Sequence, residues 1–307
     1  MKTFEFDARP IRIAVSGRSD RGRARPENQD HFLVADLSAT PSNGVVLLPG
    51  TATTAMDGGS GEFALGPKGA LIVVTDGMGG AAAGALASRL GAAWIHEEMV
   101  ARWSMDGDNT PHQFASRLRE SVEAANARVH QESLRDPRHR GMGTTATAVG
   151  VLDSSLYLAQ VGDSRAYLVR GGTAVQLTRD QSLVQQLVEA GALAEEEAEL
   201  SRHRSVILQA LGTAPSVEVE LTYQETRRGD VVVLCSDGLY RVVQRDEIGA
   251  AIAGMADPAD AAARLVALAN ERGGPDNVTV VIVRLDGAGL EDPAADDFVG
   301  RQVLAWP

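Results

Sequence analysis

The sequence is short of several residue types, and each shortage excludes a class of protein. Its 307 residues include a single cysteine, Cys235, which excludes an internal disulfide and a cysteine-rich zinc site. No apolar run approaches the length of a membrane-spanning helix. The first residues contain acidic side chains instead of a secretory apolar segment. We therefore expect a cytoplasmic protein that does not associate with membranes.

Basic charge is also scarce. The chain has 29 lysines and arginines against 41 aspartates and glutamates, a formal net charge of −12. A nucleic-acid-binding protein normally has a basic face, so we expect no nucleic-acid partner. The six histidines show no zinc-ligand spacing, which disfavours a zinc hydrolase. Ser164 is not in a GxSxG motif, which disfavours a serine hydrolase. With 44% hydrophobic residues, we expect a globular monomer.

The order of predicted elements favours an α+β fold. Strand candidates recur along the chain, and several are joined by two-residue turns typical of antiparallel hairpins. The elements do not alternate as a doubly wound parallel sheet requires, so layered sheets with helices outside fit better. Helical periodicity is clearest at 80–103, 112–134 and 258–272. The strand candidates are 11–15, 31–35, 71–75, 145–151, 155–161, 166–170, 173–177, 217–221, 231–235 and 278–284.

Three stretches interrupt this regular pattern. Residues 38–66 contain many turn-forming residues and are predicted to form a long loop or irregular hairpin inserted in the domain. Residues 178–215 are predicted to contain two short helical pieces, SLVQQLVEAGAL and SVILQALG, as a flap-like segment. The acidic residues 286–307 are predicted to form a flexible C-terminal extension.

Aspartates at the ends of apolar runs are the main chemical feature of the sequence. Asp76, Asp163 and Asp237 each follow a strand candidate, and Asp276 precedes the last one. Any one of them could be a turn residue. Four carboxylates beside buried strands, however, would be costly to bury without a partner. Because hard divalent cations take oxygen ligands, the set predicts a metal site.

A dinucleotide-binding oxidoreductase is one alternative. Residues 77–82 fit the loose pattern GxGxxA after a strand. The ribose-binding acid should then end the next strand, but Glu97 and Glu98 lie in a helical stretch instead. Asp76 would also repel a pyrophosphate. This alternative is therefore disfavoured.

Six motifs in order resemble a known family. The segments VTDGMGG, GMGTTATA, VGDSRAYLVR, SLVQQLVEAGAL, LCSDGLY and GGPDNVTVVIV resemble the bacterial branch of the metal-dependent type 2C serine/threonine phosphatases. The resemblance covers roughly residues 12–285. It implies a catalytic domain over 1–285, folded as a four-layer α-β-β-α sandwich of two mainly antiparallel sheets flanked by helices.

The resemblance also implies a set of metal ligands for two Mn²⁺ or Mg²⁺ ions. Asp76 matches the carboxylate that bridges the two ions, and Gly77 matches a glycine whose carbonyl binds one of them. Asp237 and Asp276 match the other carboxylates of this centre. Asp163, with Asp237, matches the ligands of a weaker third ion found in bacterial members.

The implied function is hydrolysis of phosphoserine and phosphothreonine in proteins, including a serine/threonine kinase. Arg25 matches the arginine that binds the substrate phosphate, and Asp30 matches the acid that holds a metal-bound water. The nucleophile would be a water bridging the metals, without a phosphoenzyme. The alternative is an inactive phosphatase-fold interaction module, which the loss of a metal carboxylate would indicate. Every expected carboxylate is present.

Overall fold

Two antiparallel sheets lie face to face, with helices on both outer faces. A computed structural model describes residues 10–39, 45–47, 57–103 and 110–304. Every strand pairing in this part of the chain is antiparallel. The predicted α+β class and the four-layer sandwich are confirmed. Within the described ranges, no helix is both long and apolar enough to cross a bilayer.

The described chain contains fourteen strands and seven α-helices. The strands are β1 (Arg12–Asp20), β2 (Asp30–Asp36), β3 (Val45–Leu47), β4 (Asp57–Ala64), β5 (Ala70–Met78), β6 (Gly143–Thr144), β7 (Ala146–Leu152), β8 (Ser155–Val161), β9 (Arg165–Arg170), β10 (Thr173–Gln176), β11 (Glu220–Glu225), β12 (Val231–Cys235), β13 (Val278–Asp286) and β14 (Gln302–Val303). The helices are α1 (Ala81–Trp103), α2 (Pro111–Arg135), α3 (Leu183–Glu189), α4 (Glu195–Leu200), α5 (Asp237–Tyr240), α6 (Arg245–Ala253) and α7 (Pro258–Glu271).

The strands form two sheets whose orders cross over repeatedly. The first sheet has the order β10-β9-β12-β13-β1-β4. The second has the order β14-β11-β8-β7-β5-β2-β3, with β6 paired to β5. The last long strand, β13, therefore lies in the middle of the first sheet, between β12 and β1. Some neighbouring strands, such as β1 and β13, are distant in sequence.

Three apolar layers hold the sandwich together. The layer between the sheets includes Ile13, Phe32 and Leu168, each fully buried. A second layer lies between the second sheet and helices α1 and α2, where Trp103 packs edge-on against Phe114 at 5.2 Å between ring centroids. The third lies between the first sheet and α5–α7. Strand β7 is buried along its whole length, which explains its continuous apolar sequence.

Two helices begin with a side-chain cap followed by proline. Helix α2 begins after Thr110, whose side chain accepts a hydrogen bond from the backbone N–H of Gln113, and Pro111 is its first residue. Helix α7 begins after Asp257, which caps it in the same way, and Pro258 follows. Proline suits the first helical position because the N–H that it lacks would have no partner there.

The 38–66 segment differs from the predicted loop. It contains β3, which pairs with β2 at the edge of the second sheet. It also contains β4, which pairs with β1 over eight residues at the edge of the first. The rest of the prediction falls on 40–44 and 48–56, outside the described residues. The β4 sequence DGGSGEFA has no strand periodicity. It can still form an edge strand, because backbone hydrogen bonds alone can hold such a strand in the sheet.

The C-terminal residues 287–304 contact the rest of the chain at several positions, although most of them are exposed. The prediction of a flexible end did not include these contacts. Leu290 is 2% exposed in the layer between the sheets. Asp297 accepts hydrogen bonds from Arg227, with Nη2 to Oδ1 at 2.8 Å. Strand β14 pairs with β11. An acidic composition predicted solvation, but arginine partners neutralise this part of the extension.

The 178–215 segment is only partly as predicted. Helix α3 falls within SLVQQLVEAGAL, as expected. The second piece, SVILQALG, is not helical: Ile207 and Leu211 form isolated β-bridges to Ser182 and Thr144 instead. The second helix of the segment is α4, whose first three glutamates are exposed. We call residues 178–215 the flap.

Candidate metal centre

Five aspartates lie at one end of the sandwich, which we call the aspartate end. Asp30 begins β2 and lies directly opposite Asp76 of β5. Asp163 lies between β8 and β9. Asp237 is the first residue of α5, directly after β12, and Asp276 lies just before β13. The structure thus brings the sequence-predicted aspartates together at strand ends of both sheets.

Two glycines allow the backbone segments at this end to approach closely. A Cβ on Gly77 would lie 2.1 Å from the carbonyl oxygen of Gly84. A Cβ on Gly238 would lie 1.9 Å from the carbonyl oxygen of Asn277. Any side chain at either position would push two backbone segments apart. The glycines beside Asp76 and Asp237 therefore determine how close these aspartates come to the neighbouring segments.

Asn277 and Ser236 organise the aspartate end and were missed by the sequence analysis. The Asn277 side chain donates to the carbonyls of Arg21 and Glu27 and accepts from the N–H of Gln29 at 2.9 Å. The Ser236 hydroxyl donates to Asp30 Oδ2 at 2.6 Å and accepts from a backbone N–H of β13. Each directly neighbours a predicted aspartate in sequence, which is the only signal that pointed to them.

Two threonines fix the backbone of Asp76. Thr145 Oγ1 accepts from the Asp76 N–H at 2.9 Å, and the Thr145 N–H donates to the Asp76 carbonyl at 2.8 Å. The Thr144 hydroxyl also donates to that carbonyl. Thr145 Oγ1 is 2.7 Å from Ser164 Oγ, next to Asp163. These bonds link the segments of two aspartates.

Burial raises the pKa of four carboxyl groups at this end. Desolvation raises the pKa of Asp30 to about 7, and the Asp237 and Asp276 carboxylates add to this. Desolvation, followed by Asp237 and Asp180, also raises the pKa of Asp163 to about 7. The pKa of Asp76 lies well above its ordinary value, because of desolvation and the four neighbouring carboxylates. That of Asp237 is raised by desolvation and lowered in part by Arg241.

Three carboxylate oxygens at this end are buried without a hydrogen-bond partner among the described residues. They are Oδ1 of Asp30, Oδ1 of Asp163 and Oδ1 of Asp237. A buried, unpartnered carboxylate oxygen is costly in a protein interior. A hard divalent cation removes that cost, and its preferred ligands are such oxygens. The donor set fits Mn²⁺ or Mg²⁺ and offers no nitrogen or sulfur.

Two arginines bind carboxylates of the same cluster. Arg25 Nη2 lies 2.6 Å from Asp276 Oδ2, with 55% of its side chain exposed. Arg241 Nη2 lies 2.7 Å from Asp237 Oδ2 and 3.6 Å from Asp163 Oδ2. No motif pointed to Arg241. Within the described residues, no group of three or more aspartate, glutamate, histidine or cysteine side chains is arranged to hold a metal ion. Asp276 and Asp237 each direct one oxygen at an arginine instead.

The thiol of Cys235, the single cysteine of the sequence, is excluded as a nucleophile. Cys235 is fully buried at the end of β12. Desolvation raises its pKa to about 12, so the thiolate is not populated near neutral pH. Cys235 is a packing residue of the layer between the first sheet and α5–α7. The thiol therefore supplies no nucleophile at the aspartate end.

Comparisons with known proteins point to one family. The family model described as protein phosphatase 2C matches residues 60–270. The chain is 41% identical over 212 residues to the serine/threonine protein phosphatase PstP of Mycobacterium tuberculosis, a match that spans 69% of this chain but only 40% of PstP. It is 34% identical over 226 residues to the protein phosphatase PhpP of Streptococcus pneumoniae, spanning 72% of this chain and 88% of PhpP.

The fold is also similar to a solved phosphatase structure. The crystal structure of the catalytic domain of PstP in complex with two manganese ions superposes with a TM-score of 0.68 at 32% identity. The alignment covers 90% of this chain and 99% of that domain. The present chain therefore matches the catalytic part of a longer relative.

Proposed function

The chain belongs to the protein phosphatase 2C family, and on that premise we propose that it removes phosphate from phosphoserine and phosphothreonine in proteins with the help of Mn²⁺ or Mg²⁺. One observation supports this activity above all others. Five aspartates lie at one end of the sandwich, and three of them have a buried oxygen without a partner among the described residues. Such oxygens suit a hard cation, and a hard cation suits a phosphate ester.

The ion ligands are proposed from the same cluster. Asp76, Asp237 and Asp276, with the carbonyl of Gly77, would hold two cations. When bound, these ions would neutralise phosphoryl charge and lower the pKa of the attacking water. Asp30 would position that water: Ser236 already donates to its Oδ2, which leaves Oδ1 to accept the hydrogen bond of the water.

Arg25 is proposed to bind the substrate phosphate. Its planar guanidinium can donate two parallel hydrogen bonds to phosphoryl oxygens, and more than half of the side chain is accessible. Its present partner is Asp276, a proposed ion ligand. An ion on Asp276 would compete with this ion pair, so the same guanidinium would become available to substrate as the site fills.

The biological setting is proposed at a coarser level. PstP and PhpP are named as protein phosphatases, which supports phosphoproteins as substrates. We propose that these include a serine/threonine kinase and that the protein acts as a cytoplasmic monomer. We also propose one catalytic domain over 1–285, against which the described part of the 286–307 extension packs. An inactive phosphatase-fold module has no supporting observation, because all five aspartates are present.

The test is phosphate release from a phosphothreonine peptide. We expect activity with Mn²⁺ and none with EDTA. Asp76→Asn and Asp237→Asn should each lower kcat/KM by at least about a hundredfold, since even changes outside the ligand set cost about 10–100-fold. The matched control is Asp153→Asn, which alters an exposed hairpin carboxylate. Activity that survives EDTA, or both ligand substitutions, would contradict the proposal.

A further inference from the structure

We propose that Arg241 takes the place of the weaker third cation, so that the Asp163–Asp237 pair holds a guanidinium and not an ion. The inference rests on the proposed function, because it concerns the number of ions at the same site. The family resemblance implies a third ion on these two aspartates. The structure shows their Oδ2 atoms directed at an arginine of this chain instead.

The contacts of Arg241 are those of a built-in counter-ion. One atom, Nη2, lies 2.7 Å from Asp237 Oδ2 and 3.6 Å from Asp163 Oδ2. The side chains of Arg241, Asp237 and Asp163 are 15%, 10% and 2% exposed, respectively. Water therefore screens these charges poorly. Arg241 directly follows α5, four residues after Asp237. This spacing places the two side chains on the same face of one helical turn.

Other groups near Asp163 do not supply this charge. Tyr240 donates a hydrogen bond to Asp163 Oδ2 at 3.3 Å but is neutral. Arg165 is paired with Asp180, with Nη2 to Oδ2 at 2.8 Å, and its guanidinium stacks on Tyr240 at 3.7 Å from the ring centroid. Arg241 is thus the cation that contacts the Asp163–Asp237 pair within the described chain. An ion added to this pair would be repelled by the guanidinium beside it.

Arg241 also contacts the flap. Its Nη1 donates to Ser205 Oγ at 3.1 Å, and Nη2 approaches the carbonyl oxygen of Arg204 at 3.5 Å. Both partners belong to the flap. One guanidinium therefore contacts two carboxylates of the aspartate end and joins the flap to them. The flap would remain attached whether or not divalent ions are present.

The test is the stoichiometry of Mn²⁺ binding, measured by titration calorimetry on the intact protein. We expect two ions for the wild type. Arg241→Gln should bind a third, with an affinity for that ion raised about 10–100-fold. Arg241→Lys, which keeps a positive charge, should bind two. The matched control is Arg245→Gln. Arg245 lines the same surface pocket as Arg241, but its side chain is 63% exposed and contacts neither aspartate.

Asp163→Asn keeps the proposal falsifiable if Arg241→Gln does not fold. Under the proposal this substitution leaves the stoichiometry at two. Three ions in the wild type, reduced to two in Asp163→Asn, would overturn the Arg241 assignment and leave the phosphatase proposal intact. A wild type that binds no Mn²⁺ would overturn the phosphatase proposal itself. The two failures are therefore distinct.

Proteolysis of the flap gives an independent readout. With Arg241→Gln, a protease should cut within the flap faster than in the wild type, in EDTA and in Mn²⁺ alike. Arg245→Gln should cut at the wild-type rate. An unchanged rate for Arg241→Gln would overturn the role of the arginine as a flap attachment.

Discussion

Asp30 and Asp76 lie directly opposite each other on neighbouring strands, and both are acidic; Asp30 is buried and Asp76 is partly buried. Like charges in such cross-strand pairs destabilise a sheet. Without a cation, the folded chain therefore keeps protons on groups that the unfolded chain releases. These side chains lower the stability of the ion-free protein but serve ion binding. Such a conflict between stability and function is typical of functional sites.

We expect Asp30→Asn to stabilise the ion-free protein while weakening Mn²⁺ binding. The pKa of Asp30 rises from 3.8 in the unfolded chain to about 7 in the folded chain. Below about pH 4 both states are protonated, and the variant gains nothing. As the pH rises to about 7, the unfolded wild type releases a proton that the folded state holds, so wild-type stability falls relative to the variant.

Thermal unfolding in EDTA checks this expectation. At pH 7.5 the Tm of Asp30→Asn should exceed that of the wild type by at least about 2 °C, and the difference should vanish near pH 4. In saturating Mn²⁺ the order should reverse, because the ion stabilises the wild type more. Asp153→Asn should follow the wild type throughout. A variant less stable than the wild type in EDTA at pH 7.5 would contradict the account of crowded carboxylates.

For Arg25→Ala we expect a substrate defect and not a metal defect. Loss of charged hydrogen bonds to phosphate costs about 1.5–3 kcal/mol, or roughly 10–100-fold, which should appear as a higher KM for phosphopeptide. The affinity for Mn²⁺ should stay equal or rise, since Arg25 no longer competes for Asp276. Steady-state kinetics and metal titration measure the two effects. Arg21→Ala, on the same loop, is the control; weaker Mn²⁺ binding with unchanged KM would refute the assignment.

At the scale of elements, the start of α5 is positioned by a close backbone contact. We expect Gly238→Ala to weaken Mn²⁺ binding by at least about tenfold, because its Cβ would lie 1.9 Å from the Asn277 carbonyl oxygen and would force α5 away from the segment of Asp276. Gly254→Ala is the control, since its nearest neighbouring atom lies 3.7 Å away. Metal titration compares the two; equal affinities would show that this spacing is unimportant.

The sequence predicted elements whose side chains determine their structure. Strand β13 and helix α7 are examples, because apolar periodicity, Asp257 and Pro258 are local signals. Strand β4 was not predicted, since its hydrogen bonds to β1 require no apolar pattern. The flap piece SVILQALG has helical periodicity, but tertiary bridges hold it extended.

The same distinction holds for the candidate site. The aspartates were predicted because acidic residues beside apolar runs are conspicuous in any sequence. Arg241 was not, because an arginine after a short helix is ordinary until the structure shows Asp163 and Asp237 beside it. Ser236 likewise has no signal of its own, since its hydrogen bond joins residues 206 positions apart. Long-range polar contacts cannot be inferred from local pattern.

At the scale of the whole molecule, the C-terminal extension contributes to the layer between the sheets. We expect Leu290→Ala to lower the free energy of unfolding by about 2–5 kcal/mol, since this side chain is 2% exposed. Leu134→Ala, at a position 72% exposed, should change it by less than about 0.5 kcal/mol. Chemical denaturation measures both. Equal stability of the two variants would mean that the extension packs too loosely to matter.

The central place of β13 has a consequence for how the protein is made. Its neighbours β1 and β12 are separated from each other until the last long strand enters between them. A ribosome releases β13 after every other strand of this sheet, at about 5–20 residues per second. Until then β1 can pair only with β4, and Asp276 cannot join the other aspartates. The proposed metal centre can therefore be completed only after β13 has been made.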